Sequence, residues 1–258
     1  MSHAAPNRAT APGIVLLTAT VTPNGDFGIA GASPDRRREQ YRRAVAHWAS
    51  SLHGSPFGLA VVETSGEPAE SLTRLVAVRS SAPVEVHPFA PTAGLVARGK
   101  GAIEAAAIEH VLKSREEPVD GATTLFKATG RLRLLNAAVC LEPLAPATVR
   151  VRMTLDRTYA DTRLLGARAS VWRTCLTGMA EEVDDDAGVF LEHVVASRIA
   201  GRAALGAIAV SRFPTRPVLA GESGTSGARY SPLRQLASAR LLHPLESALV
   251  RLAQRKQV

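Results

Sequence analysis

Phe57-Gly58-Leu59-Ala60-Val61-Val62-Glu63-Thr64-Ser65-Gly66 is the stretch that decides the fold. A nearly unbroken apolar run ends abruptly in Glu63 and a polar, glycine-closed tail. A strand wetted on one face alternates in polarity, whereas a strand covered on both faces need not, so 57–63 reads as a buried strand of a parallel sheet. In open α/β sheets functional groups collect beyond the carboxyl ends of such strands, which is where Glu63 falls.

The pattern extends outward in both directions. Upstream, 13–21 is a β-branched apolar run that fits a first buried strand better than the short apolar core of a secretory leader. Pro23-Asn24-Gly25-Asp26 makes a turn. Residues 33–52 then open with Ser33-Pro34 as cap and first turn, and repeat Tyr41, Val45 and Trp48 at helical spacing. Downstream, a weaker strand at 84–87 precedes Gly99-Lys100-Gly101, a helix over 102–113 and a strand over 123–129 that ends in Gly130-Arg131. Alternating strands and helices predict an α/β sheet covered by helices. Beyond Leu144 the spacing predicts a strand at 148–155, helices at 170–179 and 188–204, and an irregular edge at 213–219 broken by Pro214 and Pro217.

Composition bounds the function classes. At 258 residues, 46% hydrophobic and 21% charged, the chain has the make-up of a soluble globular protein with one catalytic-sized domain. A net charge of +8 points to an anionic partner, and it is carried mostly by arginine, lysine occurring only at 100, 113, 127 and 256. The 4% aromatic content leaves few platforms for stacking bases, so no nucleic-acid partner is expected. Cys140 and Cys175 lack metal-like spacing and read as buried thiols. No apolar run approaches the roughly 18 to 20 residues of a membrane span.

Several local motifs admit two readings. Gly99-Lys100-Gly101 at a helix start suits either a phosphate, with Lys100 adding charge to the helix amino terminus, or a plain turn. Thr129-Gly130-Arg131, with Lys127 and Arg133 nearby, suits either a guanidinium presented to a diphosphate or a hairpin with solvated arginines. Residues 156–163 hold two acid/base pairs, of which a surface ion-pair network is the plainer account. Asp184-Asp185-Asp186 precede Leu191-Glu192-His193 and suit a helix cap.

In their order these pieces resemble a family of bacterial and viral glycosyltransferase-like proteins related to the GT-A fold. The matching segments are Leu16 to Thr20, Asp35-Arg36 with Tyr41, Val62 to Gly66, Gly99-Lys100-Gly101 with Glu104, Lys127 to Arg131, Asp161-Thr162-Arg163, Leu191-Glu192-His193, and Ser226-Gly227 with Tyr230. The resemblance implies a mostly parallel central sheet flanked by helices, of the nucleotide-diphospho-sugar transferase type. It implies a nucleotide-sugar donor at the carboxyl edge, with Thr18 and Glu63 near the nucleoside and Lys100, Arg131 and Arg163 near the ribose or diphosphate. Glu192 stands where many inverting enzymes of this fold carry the general base, with Asp161 and His193 orienting donor or acceptor. The usual Asp-x-Asp metal motif is replaced by Thr129-Gly130-Arg131, so no metal ligand or cofactor is assigned, and Mg²⁺ or Mn²⁺ remains an open alternative, with Asp161 and Asp184 to Asp186 as its candidate ligands.

The expected organisation is a disordered tail over 1–12, the GT-A-like domain over 13–230, and a C-terminal basic amphipathic helix over 231–258. That helix offers peripheral contact with the inner membrane face to a cytoplasmic enzyme of carbohydrate biosynthesis, whose acceptor hydroxyl sits on a glycan, a lipid-linked sugar or a secondary metabolite. The rivals are a nucleotidyltransferase or nucleotide-sugar hydrolase, needing metal-binding carboxylates at a strand end, and a non-catalytic basic module for nucleic acid or anionic membrane.

Overall fold

A computed structural model describes residues 13–23, 33–74, 84–114, 120–223, 227–231, 235 and 248. The expected tail and nearly all of the C-terminal helix lie outside the described residues. The first half runs β1 (Gly13–Ala19), α1 (Pro34–Ser51), β2 (Phe57–Glu63), α2 (Ala69–Thr73), β3 (Val84–Pro88), α3 (Ala93–Ala97), α4 (Lys100–Ser114) and β4 (Thr124–Thr129). The second half adds β5 (Arg133–Leu134), α5 (Ala137–Cys140), β6 (Thr148–Arg150), β7 (Leu164–Arg168), α6 (Ala169–Val171), α7 (Leu191–Ala204), β8 (Ala209–Ser211), β9 (Leu219–Glu222) and β10 (Arg229–Tyr230).

Seven strands form one sheet in the order β3-β2-β1-β4-β7-β6-β8. Strands β1 to β4 pair in parallel, β7 is antiparallel to both β4 and β6, and β8 is parallel to β6. Only β7 therefore runs against the rest. Alternating side chains of the central strands feed two cores. Ile14 and Leu16 of β1 and Leu125 of β4 pack with α4 and α7 on one face, while Val15, Leu17, Phe126 and Ala128 pack with α1 on the other. The run at 57–63 is a central strand whose residues are nearly all buried, as its apolar continuity requires.

Helix α1 starts as its sequence predicts, with the Ser33 hydroxyl accepting the Arg36 amide and Pro34 in the first turn. Its Trp48 is fully buried and donates its indole N–H to the Leu132 carbonyl at 2.8 Å, so the polar atom of the largest core side chain is satisfied. A three-stranded antiparallel sheet, β5-β9-β10, sits beyond the end of β4.

Three expectations need correction. The strand expected over 148–155 stops at Arg150, because Asp156 accepts the Thr154 hydroxyl and both the amide and the hydroxyl of Thr158, folding 154–158 into a tight turn. The helix expected over 188–204 begins at Leu191, since Asp184 and Val189 exchange backbone hydrogen bonds across a turn with Gly188 at φ +77°. The helix expected over 170–179 is broken into α6, a π-helical turn at Trp172–Leu176 and a 3₁₀ turn at Met179–Glu181.

Strand β7 has no counterpart in the sequence reading. Its Leu-Leu-Gly-Ala-Arg composition is poor in β-formers. The pairing of Gly166 with Phe126 supplies the missing logic: a Cβ on Gly166 would lie 2.2 Å from the Phe126 ring, so the ring covers the strand where a side chain would stand. Gly166→Ala is expected to lower the unfolding free energy by about 1–3 kcal/mol through overpacking. In urea denaturation, Phe126→Leu should make that loss smaller than the sum of the single effects.

Candidate active site

The parallel strands deliver Ala19, Glu63 and Thr129 to one edge, and the antiparallel β7 begins at the same edge. The antiparallel register brings the turn Asp161-Thr162-Arg163 there, with the Thr129 amide donating to the Arg163 carbonyl at 3.1 Å.

Five separate segments that carry the resemblance meet in one hydrogen-bonded chain. The Thr18 hydroxyl of β1 donates to Glu104 Oε1 of α4 at 2.6 Å. Lys127 Nζ of β4 reaches the same Glu104 oxygen at 2.6 Å and also donates to the Thr162 carbonyl at 2.6 Å. The Thr162 hydroxyl donates to Glu192 Oε1, in the first turn of α7, at 2.8 Å. Lys127 is 1% exposed, and a buried ammonium is tolerated only when its donors and charge are matched. Burial alone would raise the Glu104 pKa, but the charge and hydrogen bond of Lys127, then the Thr18 hydroxyl and the charge of Lys100, outweigh it and hold the group below the ordinary range. Sequence reading treats Lys127 as charge available to a diphosphate; its partners are Glu104 and Thr162 instead.

The acidic cluster does cap a helix, but not the one that follows it. Asp185 is buried and accepts the Gly101 amide at 3.0 Å at the start of α4, while its own amide donates to the Arg98 carbonyl. Helix α7 has Phe190 at its cap position with no side-chain cap. Gly99 has φ +94°, and a Cβ there would lie 2.6 Å from Asp185. The close approach that these glycines permit is thus to an internal carboxylate, with Lys100 exposed beside it.

Glu63 is 1% exposed and accepts from the Val21, Ser65 and Glu67 amides and the Ser65 hydroxyl, fastening the loops after β1 and β2 to each other. Gly130 packs directly on β1: its amide donates to the Thr18 carbonyl at 3.0 Å, and a Cβ would lie 2.4 Å from that oxygen. Arg131 is buried, with Nη1 donating to Gln40 at 3.2 Å and its guanidinium 5.9 Å from the centre of the Tyr41 ring. The plainer reading of a turn with solvated arginines therefore holds for Arg133, which is exposed, and fails for Arg131. Arg37, which sequence reading passes over, is also buried here and donates to the Thr20 and Val21 carbonyls; burial, and less strongly the charge of Arg131, lower its pKa.

On the β7 side, Asp161 accepts two hydrogen bonds from the Arg163 guanidinium, at 2.7 and 2.6 Å, and lies 3.6 Å from Arg152. Burial would raise the Asp161 pKa; the hydrogen bond and charge of Arg163, with Arg152, reverse that and lower it. The Arg163 guanidinium stacks over Tyr230 at 5.2 Å. These groups line a cavity of about 210 Å³, together with Arg216, Phe213 and Gln235. His193 is exposed, between the rings of Tyr159 at 5.9 Å and Phe190 at 5.5 Å.

The residues do not fit a divalent metal at the end of β4. That position holds a threonine, a glycine and a buried guanidinium. Glu63, Glu104, Asp161 and Asp185 are each engaged by amides or cations, and the described residues contain no cluster of three His, Cys, Asp or Glu side chains able to hold a metal.

No protein-family model and no curated protein matches this sequence. Solved structures do. The galactosyltransferase LgtC, in complex with donor and acceptor sugar analogs, aligns over 77% of this chain and 73% of its own with a TM-score of 0.50 and 9% identity. The chain has a GT-A-like fold. A Desulfovibrio desulfuricans G20 protein inferred to be a nucleotide-diphospho-sugar transferase aligns over 79% of this chain and 80% of its own, at TM-score 0.47 and 13% identity. Mouse xyloside xylosyltransferase 1 covers 77% and 84%, at 0.41 and 10%. Among the described residues of this GT-A-like chain, no helix is long and apolar enough to cross a membrane.

Two measurements probe the site's electrostatics. Lys127→Met strands the Glu104 carboxylate and should cost about 3 kcal/mol in urea denaturation, the low end for a broken buried pair because Glu104 is 26% exposed; adding Glu104→Leu should recover most of it. A carboxylate whose pKa falls on folding gives stability that is present above its unfolded value near about 4 and lost as pH drops through the lowered folded value. Asp161 and Glu104 are such groups, so unfolding free energy should decline below about pH 4, and Asp161→Asn should make that acid decline shallower.

Proposed function

We propose that this chain is a glycosyltransferase that moves a sugar from a nucleotide-diphosphate sugar to an acceptor hydroxyl with inversion at the anomeric carbon. The single observation that carries the reading is the continuity from Thr18 through Glu104, Lys127 and Thr162 to Glu192. It fixes an acidic side chain of α7 at the edge where the parallel strands end.

In the proposed reaction the acceptor oxygen attacks the anomeric carbon, the bond from that carbon to the diphosphate oxygen breaks, and Glu192 takes the hydroxyl proton. Accepting a hydrogen bond from Thr162 orients the Glu192 carboxylate and leaves its other oxygen for the acceptor. Thr18 and the loop bound by Glu63 shape the nucleoside end of the site. Lys100 and Arg131 supply fixed positive charge for the departing diphosphate, with Arg163 at the boundary between donor and acceptor. Asp161 holds Arg163 in place, and His193 orients the acceptor. No step passes through a metal ion. The likeness of the fold to the galactosyltransferase LgtC supports glycosyl transfer in general.

A panel of nucleoside diphosphates and nucleotide sugars should stabilise the protein selectively, by about 2.7 kcal/mol at a hundred times the dissociation constant. With the donor so found, Glu192→Gln is expected to lower kcat by about 10²- to 10⁴-fold in a nucleoside-diphosphate release assay, with an unchanged melting temperature. Full turnover by the folded variant would remove Glu192 from this role.

A further inference from the structure

Two features beside Glu192 extend beyond the residues that the transfer step uses. One is the cavity of about 210 Å³ walled by Arg152, Arg163, Arg216, Tyr230 and Gln235. Ligand pockets commonly span roughly 300–1,000 Å³, so this one seats a substituent rather than a whole nucleotide sugar. Among the described residues its lining includes three guanidiniums and the Asp161 carboxylate. Arginine presents planar paired donors that match the oxygens of a phosphate or carboxylate.

The second feature is aromatic. Tyr159 and Phe190, 43% and 40% exposed, are the two aromatic side chains that stand exposed among the described residues, and both contact the His193 ring. Such rings present an apolar face and, in tyrosine, a polar tip, the surface on which the C–H face of a pyranose packs while its hydroxyls stay wet.

The two features adjoin. Thr162, which holds Glu192, is flanked in sequence by Asp161 and Arg163, which line the cavity. Tyr159 lies two residues before Asp161 and is 5.9 Å, ring centre to ring centre, from His193, the residue next to Glu192. Tyr159 of the aromatic rim, Asp161 and Arg163 of the cavity wall, and Thr162 at Glu192 thus come from one five-residue segment, and Tyr159 and Phe190 meet across His193 at the start of the helix that carries Glu192.

We propose that the acceptor is a sugar bearing a phosphate or carboxylate group, its ring packed on Tyr159 and Phe190 and its anion held in the cavity by Arg163, Arg216 and Arg152. This rests on the glycosyl-transfer reading and adds the chemistry of the acceptor to it. The anion anchors the sugar at one end, the aromatic rim fixes its plane, and a hydroxyl between them is presented to Glu192.

The test is direct binding by calorimetry, without donor, of glucose 6-phosphate, glucuronate, glucose and inorganic phosphate to the full chain. At least one of the two anionic sugars should bind at least tenfold more tightly than glucose and than inorganic phosphate; the tighter of them names the substituent. Arg216→Gln should weaken that sugar at least tenfold, and Tyr159→Ala should weaken it without changing inorganic phosphate. Arg163→Gln should act as Arg216→Gln does, and if the unpaired Asp161 prevents folding, Arg216→Gln carries the arm alone. Equal binding of glucose, no effect of Arg216→Gln, or competitive displacement of the anionic sugar by a nucleoside diphosphate would overturn the proposal. Because no turnover is measured, failure here leaves the role of Glu192 standing, and failure of the Glu192→Gln test leaves this site standing.

Discussion

A lysine ammonium with almost no exposure to water is the constraint around which this molecule is arranged. Lys127 sits in a central strand where an apolar side chain would be the cheaper choice. Removing such a charge from water costs several kcal/mol even after relaxation, so it persists only with matched partners. Glu104 brings α4 onto the sheet, Thr18 ties β1 to the same carboxylate, and the Thr162 carbonyl brings in the turn before β7. An apolar residue could fill the volume equally well, but it would not specify which turn and which helix must meet there.

The first half of this arrangement is legible in the sequence because each element is announced locally. The apolar continuity of β1 and β2, the Ser33-Pro34 cap and the spacing of Tyr41, Val45 and Trp48 each depend on residues within one element. The second half is built from non-local pairings. Strand β7 gains its place from the Phe126 ring lying over Gly166, and β5 is a two-residue strand with meaning only beside β9. Asp185 announces a cap correctly, but nothing in its neighbourhood says that the helix amide it caps lies 84 residues earlier.

The site was legible in a similar, partial way. The residue types and their order name Thr18, Glu104, Lys127, Thr162 and Glu192 within the matching segments, and those side chains or carbonyls do come together. What spacing could not assign is which charges are consumed internally. Lys127 and Glu63 look from sequence like groups for a ligand, and both are fully engaged by the protein. Arg131 suits from sequence either a diphosphate or a solvated turn, and it is buried against Tyr41. Burial decides between these readings, and burial is a property of the assembled sheet.

The turn ahead of β7 divides its labour within three residues. Thr162 faces Glu192, whereas Asp161 and Arg163 face the cavity. The cavity-wall residues Arg152, Arg216 and Tyr230 lie outside this turn in sequence, so altering them removes neither the Thr162 hydroxyl nor its acceptor Glu192. If the proposed acceptor site and base hold, a lineage can exchange one acceptor for another by altering Arg152, Arg216 or Tyr230 while Thr162 and Glu192 stay constant, a modularity that resides in one short turn rather than in separate domains.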